Sequence, residues 1–316
     1  MAEKWTAADI PPQHGRRFVV TGANSGLGLE TCIALAAAGA TVIMACRNPQ
    51  RAAAAAAELR RRVPSAAQPE PMALDLADLA SVRSFAAELS ARHDRLDALI
   101  NNAGVMAIPF QRTRDGFEMQ IGTNHFGHFA LSGLLFGRLQ ATAGARIVNV
   151  ASLAHRWTRG IDLDDPGFER RRYNKWDAYG KSKLANLLFT FELDRRLRAA
   201  HSGVAAVAAH PGYAATNLQF VGPDQEGSAL GRALMRLGNA LLAQPASMGA
   251  LPTLYAATAA DVHGGDYIGP GGWQQMRGYP RKVGCRRDAR DPQLGARLWA
   301  LSERMTGVSW LSATPE

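Results

Sequence analysis

The sequence predicts a single α/β domain built on a doubly wound parallel sheet of about seven strands, with helices on both faces. Short, uniformly apolar runs alternate with longer Ala-rich helical patterns, which is typical of parallel strands buried on both sides. The 316 residues are enough for one large domain of this kind, and no internal repeat or low-complexity linker divides them.

The strand and helix segments follow one another in order. The segments that we predict as strands are residues 17–23, 41–47, 69–77, 97–104, 145–152, 203–212 and 265–269. The predicted helices are residues 28–40, 48–64, 79–96 and 116–139, and a later helix that carries Tyr179 and continues to about Arg198. Regular alternation of this kind favours βαβ units with short connections.

This order suggests a core at residues 14–270, an N-terminal arm at 1–13 and a C-terminal extension at 271–316. Two segments, 153–178 and 213–247, are long for loops in a compact domain, which suggests substrate contacts and a lid. The second contains an amphipathic pattern at 229–242, with leucines on one face.

Composition limits the classes of partner and location. The formal net charge is +9, but the basic residues are scattered and lack interleaved aromatics, so we expect solvated helix faces and no nucleic-acid partner. We also expect no targeting segment and no membrane span, because no long apolar run is present. The three cysteines are odd in number and show no paired spacing, which argues against a disulfide framework or a zinc site and fits the cytoplasm; they are Cys32, Cys46 and Cys285.

The segment TGANSGLG, residues 21–28, lies at the first strand-to-helix turn. Gly22, Gly26 and Gly28 allow the backbone to approach a phosphate closely, and the following helix directs its N-terminal amides toward it. The spacing is Gly-x-x-x-Gly-x-Gly, not Gly-x-Gly-x-x-Gly. The turn predicts a dinucleotide site in a Rossmann-type domain, and a packing role for the glycines is the alternative.

The second strand ends in ACRNPQR, without an acidic residue. Sites that prefer NAD usually place an acid near this point to bind the ribose 2′-hydroxyl. Arg47 stands where a guanidinium would contact a 2′-phosphate bidentately, which favours NADP(H) over NAD(H). The alternative is that Arg47 is only a solvated residue at the start of a helix.

Two further strand ends carry polar residues. Asp75 lies at the end of the third strand and is expected near the adenine, and NNAG at 101–104 closes the fourth strand, where backbone passes under a ribose. Because the carboxyl ends of parallel strands meet at one edge of a sheet, these segments indicate one crevice.

Tyr179 and Lys183 stand four residues apart in DAYGKSKLAN. In a helix their side chains project from one face, about one turn apart. A surface pair is one interpretation, and a phenol used in acid–base chemistry beside a cation is the other.

Six ordered motifs resemble those of the short-chain dehydrogenase/reductase family: TGANSGLG, NNAG, TNHFGHF, VNVAS, YGKSK and HPG. The resemblance spans residues 14–270. The stretches around TNHFGHF and YGKSK are most similar to the retinol-dehydrogenase-type branch, which includes the protochlorophyllide-reductase-like enzymes. The resemblance implies an NAD(P)-dependent oxidoreductase acting on alcohol and carbonyl groups.

The family's catalytic set falls on Asn124, Ser152, Tyr179 and Lys183 in this sequence. The resemblance implies that Tyr179 exchanges a proton with the substrate oxygen, that Ser152 hydrogen-bonds this oxygen, and that Asn124 bends its helix and holds a water linked to Lys183. For proton exchange near neutrality, the pKa of Tyr179 should fall from near 10 to about 7 or 8. Lys183 and the positive charge of an oxidised nicotinamide are expected to lower it.

The patterns and the resemblance together give a set of cofactor contacts. Pro211 and Gly212 would turn the chain toward the nicotinamide, and Thr216 would contact its carboxamide. The full set is Gly22, Asn24, Ser25, Gly26, Leu27, Gly28, Arg47, Asp75, Leu76, Asn102, Ala103, Gly104, Tyr179, Lys183, Pro211, Gly212 and Thr216.

The function that follows is hydride transfer between NADP(H) and an apolar carbonyl or alcohol substrate. Reduction of a conjugated C=C bond with the same proton donor, or an NADP(H) sensor without turnover, are the alternatives. We expect no metal site. His125, His128 and His155 are candidate ligands, but no further group stands at the spacing that would complete a metal site. The resemblance suggests a homodimer or homotetramer through the helices of Asn124 and Tyr179, unless the extension covers them.

Overall fold

Eight strands form one sheet in the computed structural model, which describes residues 4–214 and 243–311. The strands are β1 Arg17–Thr21, β2 Thr41–Cys46, β3 Glu70–Ala73, β4 Ala98–Asn101, β5 Arg146–Val150, β6 Ala205–Ala209, β7 Tyr267–Pro270 and β8 Pro280–Lys282. Their order across the sheet is β3-β2-β1-β4-β5-β6-β7-β8. The order reverses between β1 and β4, where the carboxyl ends of open parallel sheets form a ligand crevice.

The predicted α/β class is confirmed, but the predicted strand count of about seven is one too low. The first seven strands are parallel, and β8 is antiparallel to β7, with Ile268 opposite Lys282. This edge strand has only three residues, two of them exposed, so it has no apolar pattern to reveal it in the sequence. The sheet is therefore mostly, not wholly, parallel.

The helices cover both faces of the sheet. They are α1 Gly26–Ala37, α2 Pro49–Arg62, α3 Leu79–Arg92, α4, α5 Lys175–Ala199, α6 Ala246–Thr258 and α7 Pro292–Thr306. Helix α4 consists of Met119–Ile121, a π-helical turn at Gly122–Phe126 and Gly127–Gln140. Core residues of α1, α2 and α6 pack on one face, and those of α3, α4, α5 and α7 pack on the other.

Short polar side chains begin several of these helices. Asn48 accepts a hydrogen bond from the Arg51 amide at 2.8 Å, and Asp78 accepts one from the Ala80 amide at 2.9 Å. Asn174 does the same for α5. These contacts satisfy amides that have no partner within the helix, so they fix where each helix starts.

The C-terminal extension packs on α4 and α5 through an aromatic cluster. The Trp299 ring in α7 lies 5.0 Å from the Phe129 ring and 5.0 Å from the Trp310 ring, with Phe189 of α5 beside them. Part of the surface through which the resemblance suggested a homodimer or homotetramer is thus covered by this chain's own extension. The oligomeric state stays a prediction.

Thr216 and the amphipathic pattern at 229–242 lie outside the described residues. Among the helices that the structure describes, none is both long and apolar enough to cross a membrane.

Candidate active site

The glycine-rich turn connects β1 to α1 at the edge of the crevice. Gly22 and Gly26 have φ angles of 67° and 53°, a region that non-glycine residues rarely adopt. A Cβ at Gly28 would collide with the Gly22 carbonyl oxygen. The turn is therefore tight, and at its glycines bare backbone packs where a side chain would not fit.

A small cavity of about 170 Å³ lies beside this turn. It joins the ends of β1, β2 and β3 to the loop after β4. Its lining includes the predicted contacts Gly22, Asn24, Arg47, Asp75, Leu76, Ala103 and Gly104. Ser25, Gly26 and Gly28 lie in the turn itself, outside this lining.

Arg51 also lines the small cavity, although no sequence pattern predicted it as a contact. It lies in the first turn of α2, four residues after Arg47, which directly follows β2 and precedes the helix. That spacing was the available signal. Two arginines therefore line this cavity where only Arg47 had been expected.

Asp75 faces the small cavity while holding its own loop. Its Oδ1 accepts a hydrogen bond from the Ala77 amide at 3.0 Å, and its amide donates to the Ser81 hydroxyl at 2.9 Å. The carboxylate is thus fixed after β3, on the side of the crevice where the adenine was expected.

A larger cavity of about 700 Å³ opens on the other side of the loop that follows β4. Its wall includes eight predicted residues: Leu27, Asn102, Gly104, Ser152, Tyr179, Lys183, Pro211 and Gly212. Gly104 lines both cavities, so the two are adjacent parts of one crevice.

Tyr179, Ser152 and Lys183 meet in this larger cavity. Tyr179 is 5% exposed and shares a hydrogen bond with the Ser152 hydroxyl. Lys183 is 3% exposed; its Nζ lies 5.9 Å from the centre of the Tyr179 ring and donates to the Val150 carbonyl at 3.0 Å. The predicted spacing on α5 thus brings the phenol and the ammonium to one wall.

The pKa of Tyr179 differs from the expectation of a lowered value. Burial raises it to about 12, and the hydrogen bond with Ser152 opposes only part of this effect. Burial also lowers the pKa of Lys183 from 10.5 to about 8. The difference arises because the phenol is enclosed and Lys183 directs its hydrogen bond to Val150.

Asn124 lies behind the crevice, in the π-helical turn of α4, and is fully buried. Its Nδ2 donates to the Ser182 hydroxyl and to the Val105 carbonyl, each at 2.9 Å, and its Oδ1 accepts from the Val105 amide at 2.8 Å. The side chain thus fastens the loop after β4 to α4 and α5.

The remaining wall of the large cavity is mainly apolar and aromatic. Trp157 and Trp176 come from the predicted substrate loop at 153–178, and Tyr213 begins the other predicted loop. Gln274 and Met276 belong to the C-terminal extension and were not among the predicted site residues. No local pattern in the extension marks them.

Two buried histidines support the loops around the cavity. The His155 Nδ1 lies 2.6 Å from the Ser152 carbonyl oxygen, and the His210 Nδ1 accepts from the Gly212 amide at 3.2 Å. Burial lowers the pKa of His155 to about 4 and that of His210 to about 3. Both rings therefore stay neutral near pH 7 and act as hydrogen-bonding groups.

Comparison with known proteins connects this geometry to a family. The short chain dehydrogenase model matches residues 16–162. Human retinol dehydrogenase 13 is 42% identical over 95% of this chain and 86% of its own length, and human retinol dehydrogenase 14 is 40% identical over 93% and 87%. These relatives therefore also span Tyr179 and Lys183, which lie beyond the family model.

Solved structures share the fold. An uncharacterised protein from Mycobacterium paratuberculosis is 46% identical, with a TM-score of 0.79 over 97% of this chain and 99% of its own. A structure described as an NAD(P)-dependent gluconate 5-dehydrogenase from Beutenbergia cavernae, with bound NADP, is 26% identical, with a TM-score of 0.61 over 81% and 96%.

Proposed function

Since this chain belongs to the short-chain dehydrogenase family, in its retinol-dehydrogenase-like branch, we propose that it transfers a hydride between NADP(H) and an apolar carbonyl or alcohol substrate. Membership makes it an oxidoreductase that acts on alcohol or carbonyl groups with a nicotinamide cofactor. The observation that carries the finer proposal is the meeting of Tyr179, Ser152 and Lys183 on the wall of one large cavity.

The residues of the crevice fit a dinucleotide. The turn at 22–28 brings backbone amides to a diphosphate, and Gly104 lies so close to Asn124 Oδ1 that a Cβ there would come within 2.9 Å of it. The lack of a side chain at Gly104 lets the loop after β4 pack directly against Asn124, and a ribose would lie along the backbone of this loop. Pro211 and Gly212 border the part of the large cavity that a nicotinamide would occupy.

The preference for NADP(H) rests on Arg47 and Arg51. Both line the small cavity beside Asn48, which begins α2. Two guanidiniums can hold a 2′-phosphate by charge-assisted hydrogen bonds, whereas the 2′-hydroxyl of NAD(H) offers them no charge. The neighbour with bound NADP is consistent with this choice.

When bound, the reduced nicotinamide would supply the hydride, and its oxidised form would add a positive charge at the site. In reduction, the Tyr179 hydroxyl gives its proton to the carbonyl oxygen, and the Ser152 hydroxyl donates a hydrogen bond to the same oxygen. A pKa of about 12 keeps Tyr179 protonated, as a proton donor must be. The Lys183 ammonium favours the phenolate that remains.

The proposed substrate is bulky and apolar. Trp157, Trp176 and Met276 line the large cavity, and the similar proteins named retinol dehydrogenases suggest a retinoid-like aldehyde as the first probe. The proposed location is the reducing cytoplasm, since all three cysteines are unpaired.

The test compares two aldehydes and two cofactors with the purified protein. We expect all-trans-retinal to be reduced with NADPH, with a kcat/KM about 100-fold higher than with NADH, as loss of two charged hydrogen bonds would give. A short aldehyde such as propanal should react with a higher KM, because it fills little of the cavity. Tight NADPH binding without turnover of either aldehyde or of a conjugated enone would favour the sensor; turnover of the enone alone would favour C=C reduction.

A further inference from the structure

His128 connects two parts of the crevice from inside α4. It lies just beyond the π-helical turn and is 2% exposed. Its Nδ1 is 3.1 Å from the Asn124 carbonyl oxygen, and its Nε2 is 2.9 Å from the Thr21 hydroxyl oxygen at the end of β1. Both ring nitrogens are therefore within hydrogen-bond distance of a partner, one in α4 and the other at the end of β1.

The partners determine which nitrogen carries the proton. A carbonyl oxygen can only accept, so Nδ1–H donates to Asn124. The Thr21 hydroxyl already accepts the amides of Asn102 and Ala103, each at 2.9 Å, so its own proton is available for Nε2. The Ile100 carbonyl, at 3.4 Å, is the more distant acceptor for that proton. A neutral imidazole with Nδ1 protonated satisfies every group.

The electrostatic surroundings keep this imidazole neutral. Burial lowers the pKa of His128 to about 3, the hydrogen bond to Asn124 opposes this, and the nearby Lys183 charge lowers it further. The ring therefore holds one tautomer at neutral pH and adds no charge that would repel Lys183.

Both contacts of His128 lead to the loop at 102–105. Thr21 binds the loop's first two amides through its hydroxyl, and its carbonyl accepts the Asn102 side-chain amide at 2.8 Å. Asn124 binds the amide and carbonyl of Val105 at the loop's other end. Gly104 between them is close to Lys183, since a Cβ there would lie 3.6 Å from Nζ.

We propose that His128 is a positioning residue that couples this loop to the π-helical turn, so that cofactor support and the setting of Asn124 behind Lys183 depend on one imidazole. The inference rests on the proposed function, in which the loop supports the ribose. Its contact to Thr21 should govern cofactor affinity, and its contact to Asn124 should govern the rate of the chemical step.

Two conservative variants separate the two contacts. Asparagine places an amide nitrogen near the position of Nδ1, so His128→Asn keeps the donor to Asn124 and loses the contact to Thr21. Glutamine reaches the position of Nε2 with its amide oxygen, so His128→Gln keeps the acceptor for Thr21 and loses the contact to Asn124. His128→Leu removes both contacts.

The readouts are the Kd of NADPH from fluorescence titration and kcat with all-trans-retinal, each per folded molecule. We expect His128→Leu to weaken NADPH binding about tenfold and to lower kcat about tenfold, one hydrogen bond for each readout. His128→Gln should restore mainly the Kd, and His128→Asn mainly kcat. A residue that only stabilises the fold would not divide the two readouts between the two variants.

His125→Leu is the matched control. His125 is on the same helix and fully buried, but its Nε2 lies 2.8 Å from the Ser302 hydroxyl of α7, away from the crevice. We expect this variant to lose stability while keeping the wild-type Kd and kcat per folded molecule. Equal Kd and kcat values in His128→Leu and His125→Leu would overturn the inference.

A second variant covers the case in which His128→Leu does not fold. Thr21→Val keeps the side-chain shape and removes the hydroxyl to which His128 binds, so wild-type NADPH affinity in Thr21→Val would overturn the inference. Wild-type protein that binds neither NADPH nor NADH would refute the proposed function, and this inference with it. Normal wild-type binding with unaffected His128 variants would refute the inference alone.

Discussion

At the nucleotide end of the crevice, the residues that line the site lie within a few positions of a strand end, whereas the substrate end joins segments that are distant in the chain. Arg47, Asp75 and Gly104 lie within three residues of the ends of β2, β3 and β4, respectively. The turn after Ser152, in contrast, is held by residues of the C-terminal extension. Arg286 donates to the His155 and Thr158 carbonyls, 131 and 128 residues away in the chain.

This difference teaches how the two ends can change. A parallel sheet places its strand ends in register, so the nucleotide end follows from the fold once the short motifs are present. The substrate end depends on loops and on the extension, which vary more freely without disturbing the sheet. The nucleotide end should therefore respond to single side chains, and the substrate end to the contacts that hold its loops.

The largest expected effect comes from the proposed acid–base residue, where the two ends meet. Tyr179→Phe should lower kcat about 10³-fold, since the phenol supplies the proton, and should leave the Kd of NADPH unchanged. Steady-state turnover of all-trans-retinal gives kcat, and a fluorescence titration gives the Kd of NADPH. The control is Tyr255→Phe on α6, which loses only a hydroxyl that donates to Asp261. Retention of a tenth of the wild-type kcat would contradict the assigned role.

The same difference sets what the sequence can predict. Strand ends with conspicuous motifs, such as residues 21–28 and 101–104, were identified because they stand next to strong apolar patterns. Arg51 was missed although it is four residues from Arg47, since the chain passes from the end of β2 into α2 between them and only the folded structure places both at one cavity. Gln274 and Met276 carry no local signal, because their place in the wall depends on how the extension folds back.

The next effect concerns the two arginines of the nucleotide end. Arg47→Ala and Arg51→Ala should each weaken NADPH binding about tenfold, and the double variant about 100-fold, because each guanidinium loses a charge-assisted contact to the 2′-phosphate. NADH binding should not change. Fluorescence titrations with both cofactors at one salt concentration give the ratio.

Arg60→Ala is the control for these variants, since Arg60 is an exposed arginine farther along α2. Equal losses for NADPH and NADH would show that Arg47 and Arg51 support the fold of α2 and do not read the phosphate. An effect of Arg47→Ala alone would reduce the phosphate site to the single arginine that the sequence predicted.

Lys183 lies between the two ends of the crevice, and its buried charge should lower the stability of the fold. Burial lowers its folded-state pKa to about 8 from 10.5, so below pH 8 both states are protonated and the fold bears the full cost of the buried charge. Between these values only the unfolded chain keeps the proton, so stability rises with pH by about 3 kcal/mol. Lys183→Met should therefore stabilise the fold by roughly 1–3 kcal/mol near pH 7 and lose activity.

Urea unfolding at several pH values tests this prediction. The gain from Lys183→Met should shrink as the pH rises through the window from about 8 to 10.5. Asn186 still donates to the Val150 carbonyl in this variant, so that acceptor keeps a partner. Lys181→Met is the control; it breaks an ion pair with Asp177 on the same helix and should lower stability. A pH-independent gain in Lys183→Met would argue against a buried charge as the cause.

The smallest effect tests the substrate end. Arg286→Met removes the donor that holds the His155 and Thr158 carbonyls at 3.0 and 2.6 Å, so the turn after Ser152 loses two of its hydrogen bonds to the extension and keeps those of Arg156. We expect the KM for all-trans-retinal to rise about fivefold with the Kd of NADPH unchanged, because the two lost hydrogen bonds come from a partly exposed side chain and act on the substrate only through the turn. Arg287→Met, an exposed neighbour, is the control. If the Kd of NADPH rises together with KM, the extension supports the whole crevice, and the division between a sheet-built nucleotide end and a loop-built substrate end does not hold.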